Sequence, residues 1–483
     1  MAIDTEHPEY AARKALWEKL RDCAEGQEAI HAKGKKYLPK LSGQTNTEYK
    51  AYLNRTLFYG ATSRTIDGLS GMVFRKKPTF EAPEGFKTMT EDVTLGGVGL
   101  MGFAEQIVDD AITVGRAGIL VDHPAVLADT TVAQAEASNI RPFMKHYTAE
   151  QIFNWKTEGR NNAQVLTQVR LWEYVEKPGN DEFEHDTERQ IRILDLTEDG
   201  AYRQRVFIRV KHPSTMKEEW VQAGDDIIPL KGGIPLTAIP FFFVGVKNGA
   251  ATVEKPPLID LANANLSHYV STADLEHGAH FTGLPTAVIT GHTSEQGDGE
   301  EAEEFRIGAA TAWVFPNPET EVMYLEFQGQ GLTALESRVG KKEEYMAFLG
   351  ARMLTPEKKA AETAETAQIH RSGETSVLSS LAQSAGQTLQ DALTLMAEWA
   401  GVSGEVVFTL NNDFLAVLMN SQELVALLAT WQAGGMAYAD FLDNLKRGEI
   451  VREDRTEEDI RSEIETEDPF TEDDKTGGAE DGQ

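Results

Sequence analysis

Cysteine is nearly absent: Cys23 is the single one among 483 residues, which excludes an internal disulfide framework and a Cys-rich zinc site. No stretch approaches 18 uninterrupted apolar residues, so no ordinary membrane-spanning helix is expected. Positive charge is scarce, with 46 Lys and Arg against 77 Asp and Glu for a formal charge of −31. Residues 451–483 hold 14 acidic and 4 basic side chains, and the preceding 450 residues still carry −21. High-affinity capture of free nucleic acid relies on Lys and Arg displacing counterions. A repressor or polymerase-like clamp is therefore disfavoured, whereas a surface that DNA slides past without sticking is not. The opening MAIDTEHPEYAARKALWEKL is charged within six residues and lacks an apolar core, so it does not read as a secretory signal. What is present is apolar matter, 41% of the residues, enough to bury sizeable cores, in a chain whose length suggests about three domains. The expectation is a soluble, intracellular, multi-domain protein.

Periodicity divides the chain. Tyr10 to Ile30 and Glu48 to Val73 read as helices, separated by the breakers in LPKLSGQTN. Phe103 to Val114 reads as a further amphipathic helix, and GRAGILVDHP as a turn and a buried strand. From Arg141 to Val246 the pattern becomes β: VLTQVRLWEYVE, RQIRILDL, YRQRVFIRV and IPFFFVGV are separated by turn sequences, which predicts an antiparallel-rich sheet in an α+β domain. Pro256 to Phe281 reads as a long helix with Leu261, Leu266, Tyr269, Val270 and Ala273 on one face. A β-like stretch, Thr286 to Phe327, separates it from a second helix over Leu332 to Leu354, so the three together suggest a stalk with a small module at its tip. Val377, Leu381, Ala385, Leu389, Ala392, Met396 and Trp399 mark another long helix, VVFTL a strand, and NSQELVALLATWQAGG and YADFLDNLKRG two more helices. Beyond Gly448 the acidic composition predicts a solvated, largely disordered tail.

Sites of catalysis are hard to find. Gly97-Val-Gly99-Leu-Met-Gly102 precedes a helix, and Asp122 follows 20 residues later, which formally matches a dinucleotide fingerprint. The fingerprint needs a strand entering the turn; APEGFKTMTEDVTL makes a poor one, and no βαβ series follows. A glycine turn before a packed helix is the better reading. His277 and His280, with His268 upstream, could place two nitrogens on one helix face, but no third ligand is evident. His123 and His146 are isolated. Neither a G-x-S-x-G elbow nor a phosphate-cradling G-x-x-x-x-G-K-[ST] loop occurs. No enzyme, cofactor or metal is expected.

The order of these features resembles the portal proteins of tailed bacteriophages across nearly the whole chain. The carrying segments are HPEYAARKALWEKLRDCAEG, LFYGATSRTIDGLSGMVFRKKP and GRAGILVDHP, then EEYMAFLGARML, and finally LNNDFLAVLMNSQELVALLATWQAGGMAYADFLDNLKRG. The family's common Val-Pro after the second stem helix is replaced here by Ala351-Arg352. The resemblance implies a portal-like α+β fold: a helical and β wing over 1–255, stem helices over 256–281 and 331–354, and a small β-containing clip over 282–330. A tunnel loop and long helix over 355–402, a helical crown over 403–450 and the acidic tail over 451–483 complete it. It further implies a ring, commonly of about twelve identical subunits joined by heterologous contacts that close, set at one capsid vertex of the virion and assembled in the host cytoplasm. The implied partners are double-stranded DNA passing without sequence specificity, the terminase large subunit, major capsid or scaffold protein, and adaptor or neck proteins; no membrane is involved. Arg352, Lys358 and Lys359 become candidates for the DNA-channel tunnel loop, where lysines repeated around a ring would graze phosphates. Glu295, Asp298, Glu300, Glu301, Glu303 and Glu304 become candidates for an acidic docking rim on the clip. Two alternatives stand beside this reading: another head–neck protein such as an adaptor or minor capsid protein, and a soluble acid/base enzyme.

Overall fold

A computed structural model describes residues 3–124, 134, 137–160, 162–178, 183, 185–211, 218–282, 286–290, 321–325, 330–354, 376–412, 414, 421–448, 450–452 and 455–467. The chain forms two compact units, Met1–Asn412 and Asp413–Gln483.

In the first unit α1 (Pro8–Glu25) starts where local chemistry favours it: Pro8 sits in the first turn, and His7 Nδ1 accepts from the Glu9 N–H at 3.2 Å. Gly26 has φ +100°, a backbone setting that suits glycine alone. The helix expected to reach Ile30 therefore breaks there, and α2 (Gln27–Lys33) begins anew. The second expected helix is also two, α3 (Asn46–Arg55), opened by a Thr45/Glu48 capping box, and α4 (Ala61–Val73). The short β1 (Thr79–Glu81) and α5 (Glu84–Lys87) lead to α6 (Leu100–Val114), whose Phe103, Ile107, Val108 and Ala111 are fully buried. Gly115, left-handed at φ 76°, turns the chain directly into β2 (Arg116–Asp122).

The β region follows as β3 (Phe143–Thr148), β4 (Ile152–Arg160), β5 (Ala163–Pro178), β6 (His185–Leu196), β7 (Tyr202–Lys211), β8 (Glu218–Gln222), the two-residue β9 (Leu230–Lys231) and β10 (Ile234–Pro235), and β11 (Phe241–Gly245). One sheet has the order β11-β2-β3; β4 to β8 form a five-stranded meander; all pairings among them are antiparallel. Then come α7 (Ile259–Thr282), β12 (Thr286–Thr290), β13 (Glu321–Leu325), α8 (Gln330–Ala351) with a single 3-10 turn Arg352–Leu354, α9 (Val377–Trp399) and β14 (Val407–Thr409), which pairs with β1. The fold class is α+β, as the sequence predicts.

Every residue of β2 is buried because both faces are covered. Helices α6 and α9 contact it, with Leu381, Ala385, Leu389, Ala392 and Met396 of α9 fully buried. Its even-numbered residues meet the meander. Arg116 lies between the rings of Trp155 and Phe243, 4.4 and 4.5 Å from their centroids, and burial pulls its pKa down to about 9. At Gly118 a Cβ would fall 2.4 Å from Phe241 and 2.8 Å from Ile152, so only glycine lets the layers approach this closely. Asp122 accepts from Gln204 Nε2 at 2.7 Å, and Gln204 in turn accepts from Arg192 Nη1 at 2.7 Å. Arg192 also holds Glu173, which accepts from Lys145, Tyr147 and Gln190 at 2.6–2.7 Å. This buried chain of polar groups joins the two sheets.

The second unit contains α10 (Ser421–Gln432), α11 (Tyr438–Arg447) and α12 (Glu457–Glu467). Trp431 stacks on Phe441 at 4.8 Å, giving this small unit an aromatic centre. Helix α12 corrects the expectation of a disordered acidic tail for that stretch. Thr456 and Asp459 cap each other reciprocally, Glu457, Glu458 and Asp459 occupy the first turn, and Arg461 pairs with Glu457 at 2.6 Å. Acidic side chains at a helix N-terminus and an i,i+4 pair favour helix, where bulk composition alone argues against it.

Burial alone would raise the Glu173 carboxyl, but Arg192 and Lys145 outweigh it and hold its pKa at about 2, below the ordinary 4.5. A depressed carboxyl stabilises the fold above its unfolded pKa and loses that contribution as pH falls through the folded value. Melting temperature should therefore drop between about pH 4.5 and 2. Glu173→Gln should melt lower at pH 7, by an amount on the order of 3–5 kcal/mol, with a flatter acid limb. Scanning calorimetry of both proteins across pH checks this; parallel acid limbs would refute it.

Candidate functional site

Two long helices run side by side in the first unit. The root of α7 is buried at Leu261, Ala262, Asn265, Tyr269 and Ala273, against α1, α3 and α4. Leu266 and Val270, expected on the apolar face, are half-exposed; the buried stripe runs through Asn265 instead. The cause lies in α4, which begins after Gly60 with no side chain to cap it. Asn265 Oδ1 accepts from the Thr62 N–H at 3.1 Å and the Thr62 hydroxyl at 2.9 Å, while Nδ2 donates to Tyr59 O at 2.7 Å. One amide, 203 residues along the chain, thus satisfies the first turn of another helix. Tyr269 packs edge-on against Phe58, and the Tyr52 hydroxyl donates to Asp274 at 2.9 Å.

Helix α8 returns antiparallel, since Gly278 approaches Leu332 while residues 267–271 meet 342–343. Lys342 Nζ donates to Ser267 O, Ser267 Oγ and Ser271 Oγ at 2.7–2.8 Å. Burial, then repulsion from Arg338, lowers its pKa. His268 Nε2 lies 3.1 Å from Glu343 Oε1. Helix α8 is less covered than α7: its residues 331–345 are exposed or half-exposed, and burial resumes only at Met346, Leu349 and Met353. With 24 and 22 residues, the helices measure ~36 and ~33 Å. Beyond their far ends β12 and β13 pair antiparallel, Thr286 opposite Leu325 and Thr290 opposite Glu321. The result is a helix pair with a small β tip.

At the root lies a groove of about 620 Å³ lined by Val246, Lys255, Phe348, Arg352, Met353 and Val377 among others. Arg352 is thereby placed, on the 3-10 turn at the foot of α8 and exposed. Lys358 and Lys359, and Glu295, Asp298, Glu300, Glu301, Glu303 and Glu304, lie outside the described residues.

The remaining candidates are absorbed by packing. The residues before Gly99 form a 3-10 turn and a loop, and a Cβ on Gly99 would stand 3.0 Å from Glu91 O; Asp122 is tied to Gln204. No strand enters this turn, so the dinucleotide geometry is not built. His277 meets the Tyr52 ring edge-on, and its pKa is lowered by burial, then by Arg55. His146 pairs with Asp110 at 2.9 Å and His123 stacks on Trp399. Among the described residues no three His, Cys, Asp or Glu side chains converge to hold a metal ion, and no helix is long and apolar enough to cross a membrane. Sequence periodicity missed Asn265 and Lys342; a polar residue inside an apolar helical stripe was the signal available for the first.

The family described as a domain of unknown function (DUF4055) matches residues 257–400, which run from the root of α7 to the end of α9. Among curated proteins none matches. Solved structures that resemble the chain include the virion of a native gene transfer agent particle, with 12% identity and a TM-score of 0.37 over 86% of this chain and 96% of that one. The neck of an empty gene transfer agent particle computed with C6 symmetry gives 12% and 0.38 over the same shares. The neck of a native particle computed with C12 symmetry gives 11% and 0.38, over 80% and 89%.

Replacing Asn265 by Ala should lower the melting temperature, because the Thr62 donors and Tyr59 O lose a buried partner at about 1–3 kcal/mol. Asn263→Ala, which removes only an exposed contact to Lys19, should stay within about 0.5 kcal/mol. Thermal melts of the two variants side by side decide the matter; equal melting points would remove the capping role.

Proposed function

We infer that the chain is a structural subunit of the head–neck region of a phage-like particle, and specifically a portal-type protein. In this reading it forms a ring at one capsid vertex and acts without catalysis. DNA passes through the ring during packaging and ejection, and the ring docks the terminase large subunit, capsid or scaffold protein and adaptor or neck proteins. The observation that carries the reading is the α7–β tip–α8 hairpin, held at its root by Asn265, Tyr269 and Lys342 and exposed along most of α8. A lone subunit gains nothing from a long helix, α8, left largely in water, whereas neighbours on either flank would turn the antiparallel pair into a wall. The sequence resemblance to portal proteins supports the same assignment, as does a net charge of −31, because a channel for DNA works only if it does not grip phosphates.

Purified protein should form rings with a central hole in negative-stain images and a ring mass by native mass spectrometry; homogeneous 53.3 kDa monomers in virion-like salt would sink the reading. Lys358→Ala with Lys359→Ala should leave rings and particle incorporation intact while changing DNA packaging or retention. Filled, infectious particles at the parental level would make both ordinary surface lysines.

A further inference from the structure

Two exposed apolar surfaces lie at opposite ends of the first unit. On α8 and the turn after it, Arg338, Lys341, Tyr345, Phe348 and Arg352 follow at steps of three and four and so share one stripe. All five are exposed, Phe348 by 59%. Two bare aromatics flanked by cations, with exposed Glu344 at their edge, have the composition of a contact hot spot. The second surface is aliphatic. Val210 and Val221 lie on one side of the β7–β8 ribbon, where Val210 faces Glu219. Ile227 bridges to Gln204, which lies on the same side of β7 as Val210, and Ile234 stands on the face of the β9–β10 hairpin that carries Lys231, opposite to Leu230. These four aliphatics, Val210, Val221, Ile227 and Ile234, are exposed, Ile234 by 69%. The rim of this patch is acidic: Glu219 and Asp225 are exposed, while nearby Lys231 and Arg203 are spent on Glu398 and Asp226.

The long helix α9 fixes how far apart the two surfaces are. Phe348 and Arg352 line the groove that contains Val377, the first residue of α9. Leu230 O accepts from Trp399 Nε1 at 2.9 Å, at its last. A buried helix of 23 residues separates its ends by ~34 Å, so one copy cannot bring its two surfaces together.

We propose that the cationic aromatic stripe of one copy docks on the acidic-rimmed aliphatic patch of the next. This rests on the ring reading above and names the contact that would build the ring. Opposite rims supply steering and register, and aromatic and aliphatic side chains supply the area that exposed patches of this kind otherwise leave in water. Because each copy carries one of each surface, the contact is heterologous, and repetition closes a ring when the rotation allows.

The test uses the full chain and two double variants, Tyr345→Ser with Phe348→Ser, and Ile227→Asp with Ile234→Asp. Thermal melts establish that each is folded, as expected for exposed positions. In native mass spectrometry the parental protein should give the ring and each variant alone the 53.3 kDa monomer. An equimolar mixture of the two should give a dimer, because one intact stripe and one intact patch remain. Parental rings with variant rings would overturn the pairing and leave the ring reading standing. Monomeric variants whose mixture stays monomeric would overturn it as well. A stripe variant that keeps its rings but loses retention on a short DNA duplex would make the stripe a nucleic-acid surface instead. A monomeric parental protein would remove the ring reading and this contact together.

Discussion

The place of the paired helices α7 and α8 is set at the root of α7, and there the fit turns on one buried amide. The chain breaks between α3 and α4 at residues 56–60, and Gly60 offers α4 no capping side chain. The first-turn donors of α4 would be stranded beneath α7 if α7 presented an apolar residue at this position. Asn265 faces them and also takes the Tyr59 carbonyl. An unpaired buried donor costs more than a formed hydrogen bond contributes, so this contact specifies where α7 sits even if its net stabilisation is modest. Tyr269, Ala262 and Leu261 then add apolar burial on the same face, at roughly 1.5–3 kcal/mol for a large side chain. Specificity comes from the amide and adhesion from its neighbours.

Behind the root stands a platform that resists bending because it is layered. Helix α9 covers β2 and β11, and the meander lies on the other side of β2. Gly118 removes the side chain that would hold those layers apart. The polar chain from Asp122 through Gln204 and Arg192 to Glu173 crosses the same junction. Buried ion pairs contribute little net stability when weighed against apolar packing. Their geometry is demanding, however, and this one admits a single register between the sheets. A force applied along α8 would reach α9 through Leu349 and Met353, both buried beside its first turn, and pass into β2 without crossing a loop.

Much of this was legible in the sequence, and the failures have physical reasons. Helix α9 could be read from its spacing because one broad face of it is buried against a continuous core. The continuous apolar run of β2 likewise announces burial on both faces. The two N-terminal helices were each overextended, because a glycine at φ +100° and the turn at 56–60 interrupt patterns whose apolar periodicity carries on across the break. On α7 the apolar residues Leu266 and Val270 pointed to the wrong stripe, since burial there follows a hydrogen bond to a residue 203 positions away, which no local pattern contains. The acidic tail was read from composition, which cannot register a reciprocal cap between Thr456 and Asp459. Arg352 stands at the foot of α8, which ends at Ala351 rather than at Leu354, and no local pattern separates an exposed Tyr345 or Phe348 from a packed one.

Charge gives the arrangement its last constraint. A chain at −31 repels its own copies, and a closed assembly of such chains would accumulate that repulsion. Screening confines the repulsion to a Debye length of about 8 Å at physiological ionic strength, so distant faces matter little and the rims of direct contacts matter most. A contact between copies is then workable only where the local sign departs from the global one. Arg338, Lys341 and Arg352 outnumber Glu344 along α8 and the turn after it, while Glu219 and Asp225 keep the prevailing sign in and after β8. Scarcity of positive charge thus makes its placement informative: in a chain with so few cations, three along one exposed helical stripe around two bare aromatics mark a place where a second copy would meet the least repulsion, which neither the total charge nor the fold class would reveal.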